Sequence, residues 1–160
     1  MEKEFIAIVS ANQGLLLKVC RMYCNDHADS EDLFQEIVLQ LWRSYPTFRG
    51  NAKISTWIYR IGLNIAITRL RKNSRKPATQ TLSIEHQNFI DRNDPRLDVE
   101  YSAELQVAID SLNKFDKALL LLYLDDNSYK EIAEIIGISE SNVGAKISRI
   151  KKKMKEIINP

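Results

Sequence analysis

Apolar residues recur every three or four positions along most of the chain, the period of a helix that buries one side. Phe5, Ile8 and Val9 form a first short stripe, and Leu16, Val19, Cys20 and Tyr23 a second. A third runs through Phe34, Ile37, Val38 and Leu41. Before it stand Asp29 and Ser30 as N-cap candidates, with Glu31 and Asp32 in the first turn, where acids meet the positive end of the helix dipole. Pro46 ends this helix, and a polar stretch with Gly50 at its centre follows. The next helix opens at Ser55, buries Ile58, Ile61 and Ile65, and runs out near Arg71.

From residue 73 the period is lost. The segment is polar, contains Pro77 and Pro95, and reads as an interdomain linker over 73–102, in which Leu82, Ile84, Phe89 and Ile90 are the apolar residues able to dock. Helical spacing returns with Leu105, Ala108, Ile109 and Leu112. The run from Lys117 to Leu124 is apolar on all sides and reads as a buried helix. Asn127 marks a turn; Ser128 and Glu131 stand in capping-box relation before a short helix through Ile132, Ile135 and Ile136. Gly137 is placed to end that helix with positive φ, and Ser139 to cap a last helix with a stripe of Val143, Ile147, Ile150, Met154 and Ile157. The expected fold is therefore all-α: two small helical domains, over 1–72 and 103–160, on a flexible linker.

Composition agrees and narrows the classes. A chain of 160 residues holds one ordinary domain or two small ones, and 44% hydrophobic with 28% charged residues is the balance of a soluble globular protein. No apolar run approaches the ~18 residues of a membrane span, so stable membrane insertion is not expected. The N-terminus, MEKEFIAIVS, lacks the basic start and small-residue cleavage site of a signal peptide. Two cysteines cannot build a disulfide framework, and the expected location is the cytoplasm.

Charge changes the picture more. The net charge of +2 conceals a segregation. Residues 1–36 carry seven acids and three bases; residues 37–76 carry nine bases and no acid. Residues 77–110 carry seven acids and two bases; residues 146–155 carry six bases and no acid. Two basic blocks in a nearly neutral chain point to two contacts with a polyanion.

Each block coincides with a motif. The segment from Ser128 to Lys153 has a short capped helix, a glycine-containing turn and a second helix, the spacing of a helix-turn-helix. At about 100° per residue, Val143, Ile147, Ile150 and Met154 share one arc of the second helix. The opposite arc holds Ser141, Asn142, Ala145, Ser148, Arg149 and Lys152, small or polar groups suited to the major groove and bases suited to phosphate. In the first block, Lys53, Trp57, Arg60 and Asn64 fall in an arc of about 60°. Bases, an aromatic and an amide on one side suit an unpaired strand, which offers phosphates, base faces and base edges. The loop from Phe48 to Lys53 is basic enough to wrap an unstacked nucleotide. Trp57 has a core role as its alternative.

Several strings carry a family resemblance. Asp32-Leu33-Phe34-Gln35-Glu36, Leu41-Trp42, Phe48-Arg49-Gly50 and Ser55-Thr56-Trp57-Ile58-Tyr59-Arg60-Ile61 with Asn64 closely resemble the sigma-two domain of bacterial extracytoplasmic-function (ECF) sigma factors, in the sigma-70 family. The C-terminal motif resembles the sigma-four domain. The resemblance spans about residues 5–72 and 103–158. It implies an alternative sigma factor that binds core RNA polymerase, directs it to promoters and helps melt the DNA. It implies that Asp32, Gln35 and Glu36 dock on the polymerase clamp helices. Arg49, Asn51 and Lys53 would hold a flipped-out base of the minus-ten element, and Thr56, Trp57, Arg60 and Asn64 would read and melt the duplex there. Ser141, Asn142, Ala145, Lys146, Ser148, Arg149 and Lys152 would read the minus-thirty-five element. It further implies duplex and melted promoter DNA as partners, an anti-sigma factor, and no catalysis of its own. Gly144 and Ala145 depart from the pattern, standing where many relatives carry a base and a serine; close approach to DNA is the reading left for Gly144.

Other features support less. Cys20, Cys24 and His27 have ligand-like spacing, but Cys20 lies in an apolar stripe and a fourth ligand is not evident, so no metal is expected. Asp125 and Asp126 read as a solvated helix end, and His86 stands alone. No cofactor motif is present. Two rivals remain: a helix-turn-helix regulator acting without polymerase docking, which would bind DNA stably by itself, and a metal-dependent nuclease using the acids of residues 26–36.

Overall fold

The structure is a computed structural model that describes residues 1–75 and 102–159, with side chains for 1–69 and 102–159. Eight α-helices and no strand are present among the described residues, and the chain divides into two compact units, 1–97 and 98–160. The expected linker residues 76–101, with Leu82, Ile84, Phe89, Ile90 and His86, lie outside the described residues.

The N-terminal unit contains α1 (Glu2–Ala11), α2 (Gln13–Tyr23), α3 (His27–Ser44), a 3-10 turn (Tyr45–Thr47) and α4 (Ile54–Arg75). Its core is Leu16, Val19 and Cys20 from α2, Leu33, Ile37 and Leu41 from α3, and Ile58, Tyr59, Leu63 and Ala66 from α4. Three expectations change here. First, α3 starts three to four residues earlier than the cap candidates Asp29 and Ser30 implied. Asp26 is the N-cap, its carboxylate accepting from the Asp29 N–H at 2.7 Å, so Asp29 lies inside the first turn. Second, Leu33 is buried on α3, whereas Phe34 and Val38 are half-buried. Third, Ile61 and Ile65 of α4 are half-buried at the edge of the core, and α4 continues to Arg75.

The C-terminal unit contains α5 (Ala103–Asp110), α6 (Lys114–Leu124), α7 (Tyr129–Ile136) and α8 (Glu140–Ile158). Of the all-round apolar run, Ala118 through Leu122 are buried, whereas Tyr123 is half-buried and Leu124 exposed, because the helix ends there at the surface. All four helices are capped by side chains. Ser102 accepts from Leu105 N–H, Asn113 from Asp116 N–H, Ser128 from Glu131 N–H and Ser139 from Asn142 N–H. Each cap satisfies a backbone donor that has no partner within the helix and contributes about 1 kcal/mol. Gly137 closes α7 at φ +85°, a left-handed conformation in which a Cβ would be strained.

Candidate nucleic-acid and polymerase interfaces

On α3 the candidate docking residues Asp32, Gln35 and Glu36 are all exposed. The structure adds two residues that the sequence reading left without a role. Leu39 is 48% exposed and Trp42 40% exposed. Helical geometry puts Leu39 in the arc between Gln35 and Glu36, one turn further on. The signal was available: Leu39 is out of phase with Leu33, Ile37 and Leu41. An apolar centre rimmed by polar groups is the composition of a protein-binding surface.

The loop after α3 is built by short-range bonds. The Thr47 hydroxyl donates to the Ser44 carbonyl at 2.8 Å, and the Phe48 N–H donates to the Tyr45 carbonyl at 3.1 Å. Gly50 takes φ +73°, which only glycine adopts without strain. Arg49, Asn51 and Lys53 are exposed, and the Lys53 carbonyl accepts from the Trp57 N–H, so Lys53 precedes α4 and caps it.

On α4, Arg60 and Asn64 are exposed on the same arc as Lys53, as the periodicity required. Trp57 lies on that arc too, yet it is half-buried. The reason is tertiary: Phe48 packs at 4.7 Å between ring centroids and Tyr45 at 6.3 Å. Tyr45 in turn meets Phe5 at 5.5 Å, and Phe5 meets Trp42 at 5.0 Å. Five aromatic rings thus run from the base of the basic loop to α3. The Tyr45 hydroxyl donates to Glu4 at 3.4 Å, tying α1 to this row. Thr56 does not join the exposed residues. It is only 4% exposed, because its position on α4 lies beside the core arc of Tyr59 and Leu63.

A groove of 290 Å³ runs between α3 and α4, lined by Glu36 and Gln40 on one wall and by Ile61, Asn64, Ile65, Thr68 and Arg69 on the other. This explains the half-burial of Ile61 and Ile65. The Arg69 guanidinium lies 3.7 Å from both Asp29 and Glu36. Desolvation, with Asp26 and Asp32 nearby, raises the Asp29 carboxyl above its ordinary range against the opposing pull of Arg69.

The cysteine spacing has a packing explanation. Cys20 is fully buried, and burial pushes its thiol to about 12; Cys24, at the end of α2, is pushed to about 11 by the same cause. His27 pairs with Glu31 at 3.1 Å. Among the described residues no group of three or more His, Cys, Asp and Glu side chains converges on a common point. No single helix among them is long and apolar enough to cross a membrane.

In the C-terminal unit, α7, the Gly137 turn and α8 form the expected helix-turn-helix. Val143, Ile147, Ile150 and Met154 are buried, and Ser141, Asn142, Ala145, Ser148, Arg149 and Lys152 are exposed. Lys146 differs: it is half-buried, at the margin of the core arc. The basic block is also divided in its duties. The Lys151 ammonium sits 4.3 Å over the Tyr123 ring, and the Lys153 ammonium donates to the Ser111 carbonyl at 3.3 Å, at the end of α5. Both tie α8 to its own domain. Gly144 lies on the flank next to Tyr129, whose ring carbon would stand 3.5 Å from an added Cβ, an ordinary contact. The fold therefore does not require glycine there.

The comparisons with known proteins agree with this architecture. Residues 8–76 match the family profile of sigma-70 region 2, and residues 102–154 that of sigma-70 region 4. The ECF RNA polymerase sigma factor SigW of Bacillus subtilis is 32% identical, over 92% of this chain and 85% of its own length. The ECF RNA polymerase sigma-E factor of Haemophilus influenzae is 28% identical, over 99% of this chain and 89% of its own. Among solved structures, the sigma factor RpoE in complex with the anti-sigma factor NepR, from Bartonella quintana, superposes with a TM-score of 0.69 at 17% identity, covering 98% of this chain and 95% of that one. CnrH in complex with the cytosolic domain of CnrY gives 0.71 at 18% identity, covering 99% and 90%. Helical architecture, region matches and full-length relatives together place this chain among the ECF RNA polymerase sigma factors of the sigma-70 family, the alternative sigma factors that direct RNA polymerase to promoters.

Proposed function

We propose that this chain divides promoter opening among three surfaces. The α3 face of Asp32, Gln35, Glu36, Leu39 and Trp42 docks on core RNA polymerase. The loop residues Arg49, Asn51 and Lys53, with Arg60 and Asn64 of α4, capture the unpaired non-template strand at the minus-ten element. The exposed arc of α8 reads the duplex at minus thirty-five through Asn142, Ala145, Ser148, Arg149 and Lys152. Thr56 acts from within the core, holding α4 in place, and Trp57 is the rim of the capture surface rather than a fully open stacking platform.

The observation that carries this reading is the segregation within one small domain. An acidic helix with an apolar centre stands beside a basic, aromatic and amide-bearing surface that contains no acid. One surface suits protein and the other a polyanion. Binding to bases exposed only after melting shifts the closed–open equilibrium, and a few kcal/mol per flipped base is within reach of such contacts. The chain performs no catalysis itself, uses no cofactor and works in the cytoplasm. An anti-sigma factor holds it away from polymerase; the solved structure of a similar sigma factor bound to the anti-sigma factor NepR supports this part.

Permanganate footprinting of unpaired thymines tests the central step. Asn64→Ala should leave closed-complex formation with polymerase intact and lower the open fraction, and pre-melted promoter DNA should restore most of the loss. Wild-type melting by this variant would remove strand capture from α4. Stable promoter binding by the chain without polymerase would favour a conventional regulator instead.

A further inference from the structure

We propose that Arg69 is a positioning residue for polymerase docking, holding the Glu36 carboxylate in its docking orientation from the neighbouring helix. The inference rests on the reading that α3 docks polymerase, and it adds a residue from an element that carries none of the docking groups.

Arg69 lies in the last third of α4, and its side chain is only 22% exposed, alongside the groove formed with Gln40, Ile61, Ile65 and Thr68. Its two terminal nitrogens diverge. One faces Asp29 and the other Glu36, each at 3.7 Å. These carboxylates stand seven residues apart on α3, close to two turns, or about 10 Å along the axis. A planar guanidinium spreads its charge over two diverging nitrogens and can face two such groups at once, whereas a lysine ammonium is a single point charge.

The partners differ from Arg69 in exposure. The Glu36 side chain is 53% exposed and that of Asp29 56% exposed. Arg69 lies against Oε2 of Glu36, and the carboxylate retains acceptor sites for a cation on a partner protein. A glutamate on a helix surface otherwise samples many rotamers, and fixing it before binding removes part of the ordering cost of association. Arg69 also offsets the like charge of Asp29 and Glu36, so Glu36 need not swing away from its own helix. Ion pairs with half-exposed partners contribute little to folding, so the contribution to binding is separable from stability.

The test is a double-substitution cycle in the full-length chain, with affinity for core RNA polymerase read by titration and melting temperature followed in parallel. Glu36→Gln should weaken binding about tenfold. Arg69→Gln should weaken it by three- to tenfold with little change in melting. The double variant should be no weaker than Glu36→Gln alone, because Arg69 acts through Glu36. Arg69→Lys keeps the charge and the packed stem, and should recover only part of the affinity. If Glu36→Gln binds as wild type does, the docking assignment fails and this inference with it. If Glu36→Gln is impaired, docking stands, and three results overturn the role of Arg69: wild-type or tighter binding by Arg69→Gln, losses that multiply independently in the double variant, or full recovery by Arg69→Lys.

Discussion

In the C-terminal unit, the residues that hold the domain together and those proposed to contact DNA occupy opposite arcs of one helix. Val143, Ile147, Ile150 and Met154 are buried, while Ser148, Arg149 and Lys152 face outward. In the N-terminal unit the two roles interleave. Trp57 belongs by spacing to the arc of α4 proposed to face DNA, yet it is covered by Phe48 and Tyr45, and Thr56 beside it is buried. The contrast follows from the tasks. Reading an intact duplex requires a rigid helix with an uninterrupted outer face. Capturing a base that has left the duplex requires a concavity, and a concavity is made by folding a loop over a helix. Function and stability should therefore be separable in the C-terminal unit and entangled in the N-terminal unit.

The largest effect tests that separation within α8. Ile147→Ala should destabilise the C-terminal unit by about 2–4 kcal/mol through lost burial and a residual cavity. Two positions on, Arg149→Ala should change stability by no more than about 0.5 kcal/mol. It should nevertheless weaken duplex binding and lower the salt slope by about one unit, as expected for one lost phosphate contact. Thermal melts and a salt-titrated binding series measure both. A destabilised Arg149→Ala would break the contrast from its simpler side.

A smaller effect probes the interleaved unit. Trp57→Ala should lose both open-complex formation and about 1–3 kcal/mol of stability, since its ring packs on Phe48 and Tyr45. Asn64→Ala, one helical face away from the core, should lose function with its melting curve unchanged. Equal stability of Trp57→Ala and wild type would show that the aromatic row is a platform for bases and not part of the core.

The smallest effect concerns Gly144. An added methyl meets the Tyr129 ring at an ordinary 3.5 Å. Gly144→Ala should therefore stabilise α8 by about 0.5–1 kcal/mol, measured by chemical denaturation. If it also leaves promoter affinity unchanged, this glycine serves neither the fold nor DNA contact. A loss of affinity without loss of stability would make it a point of close approach to DNA.

Much of this protein was legible in its residue order. The helices among the described residues, the buried run at Ala118–Leu122, the caps at Ser128 and Ser139 and the turn at Gly137 all depend on local rules: a period near 3.6, a side-chain oxygen before a first turn, a residue without Cβ where φ is positive. The two arcs of α8 were legible for the same reason, since a single periodic element carries both its buried and its exposed side. Local rules failed where two elements meet. Asp26 displaced Asp29 as the cap of α3 because capping depends on where the chain leaves α2, and equivalent acids stood at either position. Leu39 and Trp42 had no place in the stripe of Phe34, Ile37, Val38 and Leu41, and only their exposure in the fold marked them as a patch. Thr56 looked accessible because its exposure depends on how α4 is rotated against α2 and α3. Arg69 had no signal at all, since its partners are thirty-three and forty residues away in the chain. Helical period is a property of neighbours along the backbone, so the sequence determines it alone; burial and charge pairing are properties of neighbours in space, and only the packing of α3 against α4 decided them.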